Sequence, residues 1–134
     1  MPYWRLFYHL IWATRGREPL ISESLEPEVW RLVRQAAEHG GSRVYAVGGL
    51  SDHLHVVVSI PPSLAVAEAV RRIKGGSSHA INDLAGGNFA WQAEYGVVSF
   101  SERHLANVVA YVNDQPSRHA TRRLSPTLEQ IVET

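Results

Sequence analysis

The chain has 134 residues, 45% of them hydrophobic, which is enough for one domain with its own core and too little for two. Thirteen basic residues balance thirteen acidic ones, which argues against a general nucleic-acid coat protein and confines any phosphate-binding face to a local patch. Cysteine is absent, and with it disulfides, zinc–thiolate sites and thiol redox chemistry. No apolar run approaches the roughly 20 residues that span a bilayer, and no signal-peptide pattern opens the chain. A single domain over residues 1–134, soluble and cytoplasmic, is therefore expected.

In chain order, Tyr3 to Thr14 is dense in aromatic and branched residues and ends at Arg15-Gly16-Arg17, as a strand covered on both faces does. Trp4, Tyr8 and Trp12 are expected in the core, and His9 reads as a core histidine rather than a ligand. From Ser24, the apolar positions Leu25, Val29, Leu32, Val33 and Ala36 fall at helical spacing. Pro27 fits the first turn, and Gly40-Gly41 terminates the pattern. Arg43 to Gly48 predicts a second strand, turned through Gly49-Leu50-Ser51-Asp52 into a third that ends at Ile60-Pro61-Pro62.

That third strand carries His53 and His55. Alternation puts both imidazoles on one face, a two-ligand start for a metal site on a rigid element. A pair of half-buried histidines bonded to the chain has the same pattern, so a second motif has to decide.

Ser63 is placed to cap a second helix carrying Leu64, Ala67, Val70 and Ile73. Its exposed side presents Arg71, Arg72 and Lys74, which suits either phosphate contact or plain solvation. Gly75-Gly76 is expected to interrupt the helix, which resumes with Ser77, Ser78, Ile81 and Leu84 until Gly86-Gly87. Phe89 to Phe100 reads as a fourth strand broken near Gly96. Ser99 and Glu102 match a capping box for a helix from Glu102 to Gln115, stopped by Pro116. On that helix Leu105, Val108, Val109 and Val112 make an apolar stripe, while His104, Asn107, Tyr111 and Gln115 make a polar one. Thr127-Leu128-Glu129-Gln130 suits a short final helix. The order strand, helix, strand, strand, helix, strand, helix predicts an α+β, ferredoxin-like antiparallel sheet with helices packed on one face.

Four segments in this order, Asp52-His53-Leu54-His55-Val56, Lys74-Gly75-Gly76-Ser77-Ser78, Trp91-Gln92-x-x-Tyr95-Gly96 and Tyr111-Val-Asn-Asp-Gln115, resemble the single-tyrosine HUH transposases of the insertion-sequence 200/605 type. The resemblance runs through nearly the whole chain. It implies a metal-dependent enzyme that cleaves and rejoins single-stranded DNA beside hairpins at element ends. By position, it implies that His53, His55 and Gln115 hold Mg²⁺ or Mn²⁺, and that Tyr111 is the nucleophile that becomes linked to a 5′ phosphate. Arg71, Arg72 and Lys74 are then the expected DNA contacts. It further implies a homodimer with composite active sites, in which one subunit's tyrosine helix serves the other's histidines. Glu94 is a departure, since relatives often carry a basic residue or glycine there.

Two other histidine chemistries fit less well. A histidine-triad hydrolase needs a third histidine at the next alternate position, which is Val57, and a two-histidine phosphoesterase needs two separated His-x-Thr/Ser elements. A domesticated relative that binds a DNA or RNA hairpin without cutting it is the alternative of a different class.

Overall fold

A computed structural model describes residues 2–132. Strands β1 (Phe7–Ala13), β2 (Arg43–Leu50), β3 (His53–Ser59) and β4 (Gly96–Phe100) form one antiparallel sheet in the order β2-β3-β1-β4. Helices α1 (Glu26–His39) and α2 (Val66–Ala85) are the two long connections; α3 (Leu105–Asn113), α4 (Gln115–Ala120) and α5 (Pro126–Glu129) follow the last strand. A β-α-β-β-α-β order with β1 and β3 central is the expected ferredoxin-like arrangement. No helix among the described residues is long and apolar enough to cross a membrane.

Alternation along the central strands sorts the side chains by face. Leu10, Trp12, Leu54, Val56 and Val58 meet Val29, Val33, Val70 and Ile73 of α1 and α2 in the main core. The other face carries His9, His53 and His55, together with Val57, which packs with Ala46 and Val112 under Leu105, Val108 and Val109. Helices α1 and α2 take one face as expected. The opposite face is apolar at its centre too, so it also needs cover, and α3, α4 and α5 supply it.

Several elements differ from the sequence expectation. β1 starts at Phe7, leaving Trp4 half-buried and Tyr3 87% exposed rather than in a strand. α2 begins at Val66 with no side-chain cap, so Ser63 does not cap it, and it runs unbroken through Gly75-Gly76. The glycine at 76 serves packing instead: a Cβ there would stand 3.2 Å from the Ala36 Cβ on α1. β4 is confined to Gly96–Phe100; a single antiparallel bridge between Thr14 and Trp91, together with side chains, holds the segment before it. Asn82 brackets Phe89 through its N–H (2.7 Å) and its carbonyl (2.8 Å), and the Gln92 Oε1 accepts from the Ala13 N–H at 2.7 Å.

Ser99 lies in β4 and Glu102 accepts from the Arg5 guanidinium at 2.8 Å, so the two form no capping box. Pro116 lacks an amide hydrogen and crowds the preceding turn, so the helix stops at Asn113. Asp114 sits at φ −102°, ψ 18°, and a new helix starts with Gln115-Pro116 in its first turn.

Candidate functional site

A two-residue turn, Ser51-Asp52, joins Leu50 of β2 to His53 of β3 and puts the Asp52 carboxylate beside the first histidine. Asp52 Oδ1 lies 2.8 Å from His53 Nδ1, which leaves His53 Nε2 turned inward. His55 is fully buried, and its Nδ1 lies 2.7 Å from Nε2 of His9, equally buried on the neighbouring strand. His9 is thus the core histidine that the sequence suggests, and its partner is the second member of the His-x-His pair. Burial pushes the His9 imidazole down to about 3, with proximity to His55 adding to the effect. Burial likewise lowers His55, against the opposing pull of Glu129.

Glycine decides how close α3 comes. Gly48 pairs with His55, and a Cβ on it would stand 2.3 Å from the Val112 carbonyl oxygen. Its absence lets the helix backbone rest on the sheet and brings the Tyr111 ring within 6.0 Å of the His55 ring. Gln115 belongs to the next helix yet reaches the same place: fully buried, its Oε1 lies 3.3 Å from His53 Nε2 and 2.9 Å from His119 Nε2. Tyr111, His53, His55 and Gln115, which the sequence marks as site residues, therefore meet in one buried cluster. Tyr111 stands against His55 of its own chain.

Two further groups complete the cluster. His119 follows Gln115 by one helical turn, and its ring lies 4.9 Å from that of His53. Burial lowers its pKa, as does proximity to His53. Glu129 arrives on α5, whose Ser125 caps the helix by accepting from the Leu128 N–H at 3.2 Å. Gly96 admits this segment, since a Cβ there would stand 2.1 Å from the Gln130 carbonyl oxygen. The Glu129 Oε1 then lies 3.4 Å from His55 Nε2, 3.6 Å from His119 Nε2 and 3.8 Å from His53 Nε2. Despite its burial cost, this company of imidazoles and the Tyr111 hydroxyl holds the Glu129 carboxyl at about 2.

The Tyr111 hydroxyl donates to Glu129 Oε2 at 2.5 Å and accepts from the Ser125 N–H at 2.9 Å. Tyr111 is 5% exposed, and burial with the adjacent carboxylate pushes its phenol up to about 12. A carboxylate near 2 does not draw a proton from a phenol near 12, so this contact keeps the phenol protonated.

Sequence reasoning had a signal for His119, which continues the Tyr111, Gln115 spacing by four. It passed over that signal because Pro116 reads as a stop. For Glu129 no spacing signal exists, since a turn and a separate helix intervene.

The basic residues of α2 do not form one face. Arg71 and Arg72 both bind Glu68, with Arg71 Nη2 at 2.6 Å and Arg72 Nε at 3.1 Å. Arg72 turns toward α1, donating to the Gly40 carbonyl at 2.9 Å. Lys74 points into the chain, donating to the carbonyls of Ala93 (3.2 Å) and Glu94 (3.1 Å), and burial lowers its pKa. Arg71 and Lys74 line a groove of about 460 Å³ walled by Phe89, Trp91 and Tyr95, and Arg72 lies outside it.

His53, His55, His119 and Glu129 each offer a donor atom within 4.8 Å of the others. The donor set fits a divalent ion, and His55 Nε2, buried without a hydrogen-bond partner, is an atom that an ion would satisfy. An antiparallel α+β fold with a histidine cluster facing a tyrosine is the class of protein defined by these features. Residues 2–115 match the family described as "Transposase IS200 like", and the chain belongs to that family of transposases.

Among its relatives is the ISDra2 transposase TnpA of Deinococcus radiodurans, 27% identical over 120 residues that cover 84% of this chain and 85% of the relative. The transposase for insertion sequence element IS200 of Salmonella typhimurium is 27% identical over 75 residues, 56% of this chain and 49% of that protein. The fold is shared with a crystal structure described as a transposase from Deinococcus radiodurans R1. Its TM-score is 0.68 at 24% identity, covering 86% of this chain and 95% of that one. A tyrosine transposase solved bound to a REP hairpin has a TM-score of 0.64 at 15% identity, covering 99% and 93%.

Proposed function

We propose that this protein is a metal-dependent transposase of single-stranded DNA, with Tyr111 as nucleophile and His53, His55 and Gln115 as holders of Mg²⁺ or Mn²⁺. One observation carries the reading: in a chain of the IS200-like family, the phenol of Tyr111 packs in one buried cluster with the paired histidines and Gln115. The Tyr111 oxygen bonds to a backbone phosphorus while the 3′ oxygen leaves. The strand is then held as a 5′-phosphotyrosine beside a free 3′ hydroxyl. Attack by another 3′ hydroxyl reverses the step and rejoins strands without outside energy. A bound divalent ion supplies positive charge where negative charge gathers on the phosphate oxygens.

The protein's own task is to release the nucleophile. Glu129 and the Ser125 amide cover the Tyr111 hydroxyl, so α5 has to leave it before a phosphate arrives. Once that carboxylate is gone, one of the two causes that raise the phenol's pKa is gone with it.

Hairpin DNA is the proposed ligand, in keeping with the family and with the structural relative bound to a REP hairpin. Arg71 and Lys74 border the aromatic groove and are the proposed phosphate contacts, with Trp91 and Tyr95 offering rings to unpaired bases. Arg72, turned toward α1, is left a minor share. The family resemblance implies a homodimer, and we propose that each site nonetheless works in cis, since one chain holds all of its parts.

Incubating the protein with labelled single strands carrying a hairpin, with Mn²⁺ or Mg²⁺, should yield a covalent adduct that survives denaturation. Tyr111→Phe should yield none. A full adduct yield from Tyr111→Phe would overturn the assignment of the nucleophile. The covered hydroxyl favours a second reading, a hairpin-binding regulator that does not cut. Tight hairpin binding with no adduct under any ion would establish that one instead.

A further inference from the structure

We propose that His119 and Glu129 are ligands of the ion in the resting protein, closing a three-imidazole, one-carboxylate site that favours first-row transition ions over Mg²⁺. The inference rests on the divalent-ion reading of His53 and His55 and goes beyond it by adding two ligands and a metal class.

Distances are the first argument. Four donors held about 2.0–2.2 Å from one ion in a tetrahedron stand roughly 3.3–3.6 Å apart. Glu129 Oε1 stands 3.4, 3.6 and 3.8 Å from the Nε2 atoms of His55, His119 and His53. One oxygen and three nitrogens from three elements, β3, α4 and α5, all lie within 4.8 Å of one another, so a small closing movement around a shared ion brings them to that spacing.

Orientation is the second. In metal sites a histidine that binds through one nitrogen typically has the other fixed by a neighbour. Here His53 Nδ1 is fixed by Asp52 at 2.8 Å and His55 Nδ1 by His9 at 2.7 Å, so both rings are held with Nε2 toward the cluster. His55 Nε2 is buried and lacks a hydrogen-bond partner of good geometry, with the Glu129 oxygen 3.4 Å away. Gln115 Oε1, 2.9 Å from His119 Nε2 and 3.3 Å from His53 Nε2, borders the same space as a further oxygen donor.

Donor chemistry is the third. Imidazole suits Mn²⁺, Co²⁺ and Zn²⁺ increasingly well, whereas Mg²⁺ demands oxygen ligands in an octahedron with several waters. A site with one carboxylate and one amide oxygen among three imidazoles is poor in what Mg²⁺ needs. Of the two ions expected from the family, Mn²⁺ is the better match.

The test is binding alone. Co²⁺, a spectroscopic stand-in, is titrated into the metal-free protein while its visible absorption is followed, and affinity is measured against a competing chelator. The proposal expects one Co²⁺ per chain with the intense bands of a four- or five-coordinate ion, and no displacement by excess Mg²⁺. Glu129→Gln and His119→Ala should each weaken binding at least tenfold and fade the bands, with circular dichroism like that of the parent. Glu129→Asp, which keeps the charge but retracts it, should weaken binding less than Glu129→Gln. Parental affinity in Glu129→Gln or in His119→Ala overturns the assignment of that residue while leaving the His53, His55 reading intact. Parental affinity in the His53→Ala, His55→Ala double variant overturns that underlying reading and the inference with it.

Discussion

Around His55, burial and neighbouring charge set which groups carry a proton, and the consequence for stability has a definite sign. In the metal-free protein the His9 imidazole is held at about 3 against an ordinary 6.5, and His55 is also lowered. As pH falls through 6.5, the unfolded chain takes up protons at these positions that the folded chain refuses. Stability is therefore full above 6.5 and declines toward 3. Glu129 acts in the same direction over a lower range: held at about 2 against 4.5, its contribution is present above 4.5 and is lost as pH falls through 2. Thermal or urea unfolding across this range should show stability dropping before the carboxylate range is reached. His9→Gln should remove part of that early slope, and stability that stays flat between pH 6.5 and 4.5 would contradict the assignment. The His-x-His pair and the Tyr111, Gln115 spacing were legible in the sequence because each is short-range, the first an alternation along β3 and the second a step of four across the junction of α3 and α4. The bond between His9 and His55 was not, because it crosses strands whose register no local pattern reveals.

Glycines separate the local from the tertiary at the scale of elements. Gly75-Gly76 reads as a helix break because glycine is a poor helix former, yet packing against α1 carries α2 straight through. Gly75 and Gly48 should answer oppositely to substitution. Gly75→Ala meets no atom within 4 Å of the new Cβ and should stabilise by roughly 0.5–1 kcal/mol through helix propensity alone. Gly48→Ala puts a Cβ 2.3 Å from the Val112 carbonyl, which forces α3 off the sheet. It should cost about 1–3 kcal/mol and carry Tyr111 away from His55. Denaturant midpoints measure both changes, and a neutral Gly48→Ala would mean that α3 is not seated as described. The ferredoxin-like antiparallel sheet and the stretches of the two long helices were readable from periodicity and turns. The placement of α5, and with it Glu129, was not, since that depends on an oxygen fitting over Gly96.

For the whole molecule the open choice is whether a tyrosine serves its own histidines or a partner's, and within the single chain α3 is seated on its own sheet. Only the short turn of Glu102–His104 separates β4 from α3, and the helix is seated at once: Val112 lies in the small core with Ala46 and Val57, and its carbonyl rests on Gly48. Exchanging α3 with a second copy would uncover Val57 and Ala46 on one sheet and require the same seat on the other. α5 adds to this, because it bonds Tyr111 and reaches the histidines while resting against β1 and β4 of the same chain. Mixing a Tyr111→Phe protein with a His53→Ala, His55→Ala protein distinguishes the two routes, since each is expected to be inactive alone. In cis, neither chain of a mixed pair holds both the phenol and the imidazoles. The mixture should stay inactive even after heterodimers are shown by mass, whereas activity returning in proportion to the heterodimer would demonstrate that α3 crosses between copies.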